Sequence, residues 1–219
     1  MNKPLNFVLI GRSGCGKGTQ AKLLMEKFGN LYYLSTGDLL RDLASKKTDV
    51  AERIKKILDA GKLPSDDLAT ALWISEISYN LKKEQGLMAD GFPRRLEEAK
   101  DLYELMDFLE RNDKTFYLLI DISKEEAFNR LTKRRICKKC GRLIPWVGDF
   151  KKLEVCDQCA GELETRPDDT DKAINNRMSY FEESVMPAIK FFEEKGKLIK
   201  INGEQSIEDV FKDILKAVK

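Results

Sequence analysis

Nine residues near the start of the chain concentrate groups that handle phosphate. Gly11-Arg12-Ser13-Gly14-Cys15-Gly16-Lys17-Gly18-Thr19 holds four glycines, one lysine and a threonine hydroxyl. Glycines at this density let backbone N–H groups turn inward around phosphate oxygens. A helix that starts here adds the partial positive charge of its N-terminus, and Lys17 can reach the terminal phosphates. The general phosphate-loop pattern has Ser or Thr directly after the lysine; here Gly18 intervenes and Thr19 follows. The competing reading is a glycine-rich turn with a surface lysine, and the strand before and helix after the loop favour the cradle. Cys15 reads as small loop filler, because phosphoryl transfer needs no covalent protein intermediate.

A second constellation lies further on. Cys137, Cys140, Cys156 and Cys159 form two Cys-x2-Cys knuckles separated by fifteen residues. Each knuckle aims two sulfurs at one point, so the pair matches a closed four-thiolate zinc site with a structural role. Rival readings are a disulfide pair, a redox dithiol, or a zinc ribbon for nucleic acid. The last draws on Lys133, Arg134, Arg135, Lys138, Lys139, Arg142, Lys151 and Lys152, which cluster around the cysteines. The chain has no histidine, so its acid–base and metal chemistry must run without imidazole.

These groups need a scaffold, and the patterning supplies one. Of 219 residues, 42% are hydrophobic and 35% charged, which excludes a disordered tail or low-complexity fibre. The net charge of +2 gives no electrostatic case for a general nucleic-acid binder. The early apolar run from Leu5 to Ile10 is too short for a membrane span or a signal sequence, so a soluble cytoplasmic protein is expected. Five continuous apolar segments read as strands covered on both faces: Phe7–Ile10, Leu31–Leu34, Leu87–Ala89, Phe116–Ile122 and Leu198–Ile201. Helical periodicity fills Ala21 to Phe28, Asp66 to Lys83, Leu96 to Glu110 and the stripe from Ile207 to Val218, with Ser206 as N-cap. Alternating strands and helices predict an α/β fold with a parallel sheet and right-handed crossovers. Two excursions break the rhythm. Thr36 to Pro64 carries two helical patterns, and Arg134 to about Thr170 carries the cysteines with little periodicity.

Three more strings follow in order. Ser35-Thr36-Gly37-Asp38-Leu39-Leu40-Arg41 comes after the second strand and Asp90-Gly91-Phe92-Pro93-Arg94 after the third. Arg166, Asp168, Asp169 and Arg177 close the cysteine segment. With the glycine loop, extended to Gln20, these strings resemble the adenylate kinase family of nucleoside monophosphate kinases over nearly the whole chain. The cysteines look like the zinc-bearing long lid of many bacterial members. The resemblance implies a three-layer P-loop core with a five-stranded parallel sheet, formed by residues 1–35, 66–133 and 171–219. It further implies a helical monophosphate-binding segment at 36–65 and a zinc lid at 134–170.

The implied reaction is reversible transfer of the γ-phosphoryl group of ATP to AMP, giving two ADP. Mg2+ and a structural Zn2+ are the implied cofactors. The implied protein is a monomer without nucleic-acid or membrane partners. In this resemblance Gly14, Cys15, Gly16, Lys17, Gly18 and Thr19 wrap the ATP phosphates. Arg134 is a lid contact to phosphate, while Arg130, Leu143, Ile144 and the backbone at Gln205 surround the ATP base. Arg41 and Arg94 clamp the monophosphate. Thr36, Lys62, Leu63, Pro64, Gly91, Phe92, Pro93 and residue 98 belong to its site. Arg166 and Arg177 reach across both phosphates, and Asp90 orients magnesium through water. Lys17, Arg94, Arg134, Arg166 and Arg177 make up the implied catalytic set.

One position departs from the pattern. Adenylate-specific members usually have glutamine four residues after Arg94, whereas this chain has Glu98. A carboxylate offers two acceptors, which suits the donor edge of guanine and leaves GMP as an alternative acceptor beside AMP. Two further classes stand against a kinase: a P-loop ATPase with a zinc ribbon, and a non-catalytic zinc module. For the ATPase no residue stands out as a base to activate water, and five placed arginines speak against the module.

Overall fold

The computed structural model describes residues 3–59, 64–166 and 169–218. The chain runs β1 (Asn6–Ile10), α1 (Lys17–Phe28), β2 (Leu31–Ser35), α2 (Thr36–Ala44), α3 (Asp49–Asp59) and α4 (Asp66–Asn80). It continues through β3 (Gly86–Asp90), α5 (Leu96–Phe108), β4 (Thr115–Asp121) and α6 (Lys124–Thr132). The cysteine segment adds β5 (Arg135–Cys137), β6 (Leu143–Ile144) and β7 (Leu163–Thr165). Then come α7 (Asp171–Tyr180), a π-helical turn at Phe181–Val185, α8 (Met186–Glu194), β8 (Leu198–Asn202) and α9 (Ile207–Ala217).

The five apolar runs are the strands of one parallel sheet in the order β2-β3-β1-β4-β8. Both faces are covered, which is why these strands read as unbroken apolar runs. One core layer packs Ala21 and Leu24 of α1, Leu131 of α6, Ile174 and Met178 of α7 and Ile214 of α9 against the sheet. The other packs Trp73 of α4, Leu102 of α5, and Phe181, Val185 and Phe192 from the π-turn and α8. The C-terminal strand ends face one way. β1 delivers the glycine loop there, and the register sets Leu9 beside Asp90 and Asp90 beside Ser35. Ligands of open α/β sheets bind at this end.

The structure corrects the sequence reading at two places. α4 stops at Asn80 rather than Lys83: Leu81 turns extended, and the Arg111 guanidinium takes the carbonyls of Lys82, Lys83 and Gln85 beyond it at 2.7–3.1 Å. The cysteine segment, where the sequence reading has no strand, contains a three-stranded antiparallel sheet in the order β6-β5-β7. Its two- and three-residue strands are too short to show a period. Ser206 caps α9 as expected, its hydroxyl accepting the Asp209 N–H at 3.1 Å. Among the described residues no helix is long and apolar enough to cross a membrane.

Candidate active site

The glycine loop is tight because β4 lies under it. A side chain at Gly11 would stand 2.5 Å from the Ile120 carbonyl oxygen, so only glycine fits. Gly16 caps α1 with a left-handed φ of 102° and no side-chain cap, so that of the first turn the Thr19 N–H bonds to the Gly16 carbonyl while those of Lys17 and Gly18 can face a ligand. Lys17 turns back over the loop, and its ammonium donates to the carbonyls of Gly11 at 2.7 Å and Arg12 at 3.0 Å. Cys15 is buried, as expected of a filler. Gly18 leaves room beside α1 for Asp90, whose Oδ2 lies 3.6 Å from where a Cβ would be. The same oxygen accepts the Tyr33 hydroxyl at 3.1 Å, and burial beside Asp90 raises the Tyr33 pKa. A carboxylate here, beside the first turn of α1, is the hard oxygen donor that a hydrated Mg2+ takes.

The strings after β2 and β3 meet. Buried Thr36 opens α2 and its hydroxyl donates to the Gly91 carbonyl at 3.4 Å. Arg94 folds over Gly91, its Nε donating to that same carbonyl at 2.6 Å. Phe92, joined to Pro93 by a cis peptide, stacks on Trp73 with ring centroids 5.1 Å apart. Arg41 is exposed, lies across Gly37 and pairs with Asp38 at 2.5 Å. Glu98 is buried, and its Oε2 accepts the Arg94 backbone N–H at 2.6 Å while Oε1 lies 3.5 Å from the Thr70 hydroxyl. Pro64 is buried; Lys62, Leu63 and Asp168 lie outside the described residues.

On the far side, α6 packs on the loop through Leu131 against Gly14. Arg130 is held by Glu126 at 2.6 Å and the Gly203 carbonyl at 2.9 Å. Leu143 is exposed, Ile144 is fully buried, and the Gln205 side chain donates to the Asn202 carbonyl and to Asp213. Arg134 and Arg177 converge on Asp169, whose carboxylate is fully buried. Burial lowers the Arg134 pKa, Asp169 opposes that, and the charges of Arg166 and Arg177 add to the lowering. Three of the expected arginines therefore share one electrostatic neighbourhood. Asp169 is the residue whose role the sequence reading left unassigned; it stood beside Asp168 with no local signal to separate the two.

The four cysteine sulfurs all lie within 4.8 Å of one another, with Cys137 and Cys159 at 3.5 Å and Cys140 and Cys156 at 3.7 Å. Tetrahedral zinc with Zn–S near 2.3 Å would space its sulfurs by about 3.8 Å, so the donor set fits that ion. Backbone N–H groups of Cys140 and Lys139 lower the Cys137 thiol to about 6. The crowding Cys140 sulfur pushes Cys159 up to about 12. A dication removes this conflict by holding all four as thiolates. The basic cluster is largely engaged internally. Lys138 pairs with Glu162, Arg142 with Asp157 and Lys152 with Asp149, while Arg135 donates to the carbonyls of Phe150 and Leu153.

Comparison with known proteins agrees with this geometry. The family model described as adenylate kinase matches residues 9–197. An adenylate kinase of Staphylococcus aureus (strain N315) is 36% identical over 212 residues, covering 96% of this chain and 97% of its own length. One from Thermosipho africanus is 32% identical over 219 residues, covering 98% and 100%, and one from Petrotoga mobilis is 33% identical, covering 98% of each. The guanine alternative raised by Glu98 finds no support in these matches. Its physical premise also weakens, because one carboxylate oxygen is already bonded to the Arg94 backbone and is not a free acceptor for a base. With a glycine cradle, clustered arginines and matches spanning nearly its full length, this chain belongs to the adenylate kinase family.

Proposed function

We propose that the chain is a reversible ATP:AMP phosphotransferase, making two ADP from MgATP and AMP. The reading is carried by the gathering, at one end of the sheet, of the Lys17 cradle, the Asp90 carboxylate and the arginines organised by Asp169. In-line transfer between two nucleotides crowds negative oxygens together and spreads charge over the moving group. Catalysis is then alignment and neutralisation, which planar and permanently charged guanidinium groups supply.

In this reading Gly14 to Thr19 wrap the ATP phosphates, and Lys17 exchanges two loop carbonyls for phosphate oxygens. Arg130, Leu143, the main chain of Ile144 and that of Gln205 surround the ATP base. Arg41 and Arg94 clamp the AMP phosphate, while Thr36, residues 62–64, residues 91–93 and Glu98 form its pocket. Arg134, Arg166 and Arg177 neutralise the group in transfer. Asp90 would hold a hydrated Mg2+ through its water shell, and the ion would supply neutralisation of phosphate charge. Cys137, Cys140, Cys156 and Cys159 hold a structural Zn2+ with no open coordination position.

Residues 1–35, 66–133 and 171–219 act as the core. The segment 36–65 and the lid 134–170 close over the two nucleotides to exclude water, which would otherwise hydrolyse ATP. The protein works as a cytoplasmic monomer. The test is purified protein given MgATP with AMP, GMP, CMP or UMP. Diphosphate from AMP is expected; none from any acceptor, or steady ADP from ATP alone, would refute the reading.

A further inference from the structure

The arginine inside the glycine loop has no role in the reading above, and its contacts assign one. The Arg12 carbonyl is part of the cradle, accepting the Lys17 ammonium at 3.0 Å and the Cys15 N–H at 3.2 Å. Its side chain leaves the loop for the π-helical turn. There the guanidinium carbon lies 4.1 Å from the Phe181 ring centroid, and Nη2 pairs with Glu182 at 2.8 Å. The Arg12 side chain is only 15% exposed, and its Nε and Nη1 are buried without an acceptor among the described residues. A loosely held surface arginine would turn those donors to water. This one stays over the ring, where a cation and an aromatic face attract.

The place it grips is where phase is decided. Phe181 lies one helical turn beyond Arg177. Ile174 and Met178 of α7 pack in one core layer, whereas Phe181 and Val185 pack in the other. The π-turn is thus where the helix changes layers, and its extra residue per turn loosens the usual register. We propose that Arg12 is a positioning residue: through Phe181 and Glu182 it holds the Arg177 helix in register with the loop that carries Lys17. This rests on the phosphotransferase reading. Glu182 neutralises the Arg12 charge, so its action runs through placement of Arg177 rather than through a contact of its own with phosphate.

A double-mutant cycle on the full chain tests this, reading kcat and KM for ADP formation in wild type, Arg12→Ala, Arg177→Ala and the double variant. Arg12→Ala should lower kcat about 10-fold with KM for ATP and AMP within about twofold, as expected of lost alignment. In the Arg177→Ala background the same change should alter kcat less than about twofold, because the group being positioned is gone. A full further 10-fold loss in the double variant would overturn the proposal and mark a direct phosphate contact or a general loop defect. An unchanged kcat in Arg12→Ala would overturn it too. If Arg12→Ala does not fold, Glu182→Gln enters the same cycle, with a smaller loss that must likewise vanish without Arg177. Full activity of Arg177→Ala would sink this inference and the assigned role of Arg177 together. Absence of ADP in the wild type would instead sink the phosphotransferase reading itself.

Discussion

The carboxylate of Asp169 takes the Arg134 guanidinium edge-on, through two hydrogen bonds of 2.8 Å each. Arg134 follows α6 at the start of the cysteine segment, and Asp169 stands just before α7. The pair therefore closes the base of the excursion. Arg177 reaches the same carboxylate at 2.5 Å, so one buried anion orders two cations that would otherwise repel.

Asp169→Asn should lower stability. It keeps the volume but removes a buried charge that pairs with both arginines, a class of change that costs about 3–5 kcal/mol. The arginines are 17% and 28% exposed, which places the expected loss at the lower end, about 3 kcal/mol. A urea unfolding curve checks it through a lower midpoint. A midpoint equal to wild type would show that the arginines are held by other means.

Lys17→Met should leave the fold intact and reduce turnover about 10³-fold, since the ammonium is the cradle's mobile charge. Its present bonds stay within the loop, to the carbonyls of Gly11 and Arg12 and the Cys15 sulfur, so little of the core depends on it. Circular dichroism alongside the ADP assay separates the two effects. Near-normal turnover would remove Lys17 from the chemistry.

Cys156→Ser should release the metal and melt the small sheet before the core. Strands of two and three residues cannot hold themselves, and the four sulfurs are their main cross-link. Elemental analysis should find one zinc per wild-type chain and almost none in the variant, with an early thermal transition. Chelation of the wild-type protein should produce the same early transition. Equal zinc in both proteins would refute a four-thiolate site.

Glu98→Gln should improve AMP use modestly. The amide oxygen can keep the Arg94 N–H bond, while its NH2 can donate to a base nitrogen that a carboxylate repels. One such neutral hydrogen bond is worth about 0.5–1.5 kcal/mol, or about a 2- to 12-fold lower KM. Steady-state kinetics with AMP checks it. A higher KM would mean that the charge of Glu98 matters more, through its hold on the Arg94 loop.

Much of this was legible in one dimension. The phosphate loop could be read because glycine spacing, the preceding strand and the following helix are contiguous, and the chemistry is done largely by backbone. The paired cysteine knuckles were legible for the same reason. Other features depend on distant partners. The segment after α4 is held by Arg111, a residue on another element that takes the carbonyls of Lys82 and Lys83. Asp168 and Asp169 are indistinguishable as neighbours in a string; Asp169 lies between two guanidinium groups, and Asp168 lies outside the described residues.

By itself the sequence determined the alternating layers, the cradle and the metal-ligand spacing, because each follows from local sterics and short-range hydrogen bonding. Only the tertiary structure decided which charges meet. Arg12 finds Phe181 and Glu182, and Arg134 finds Asp169, because packing two helix layers on one sheet brings remote segments together at its C-terminal end. A charge has long reach and little sequence preference for its partner, so burial and geometry make that choice.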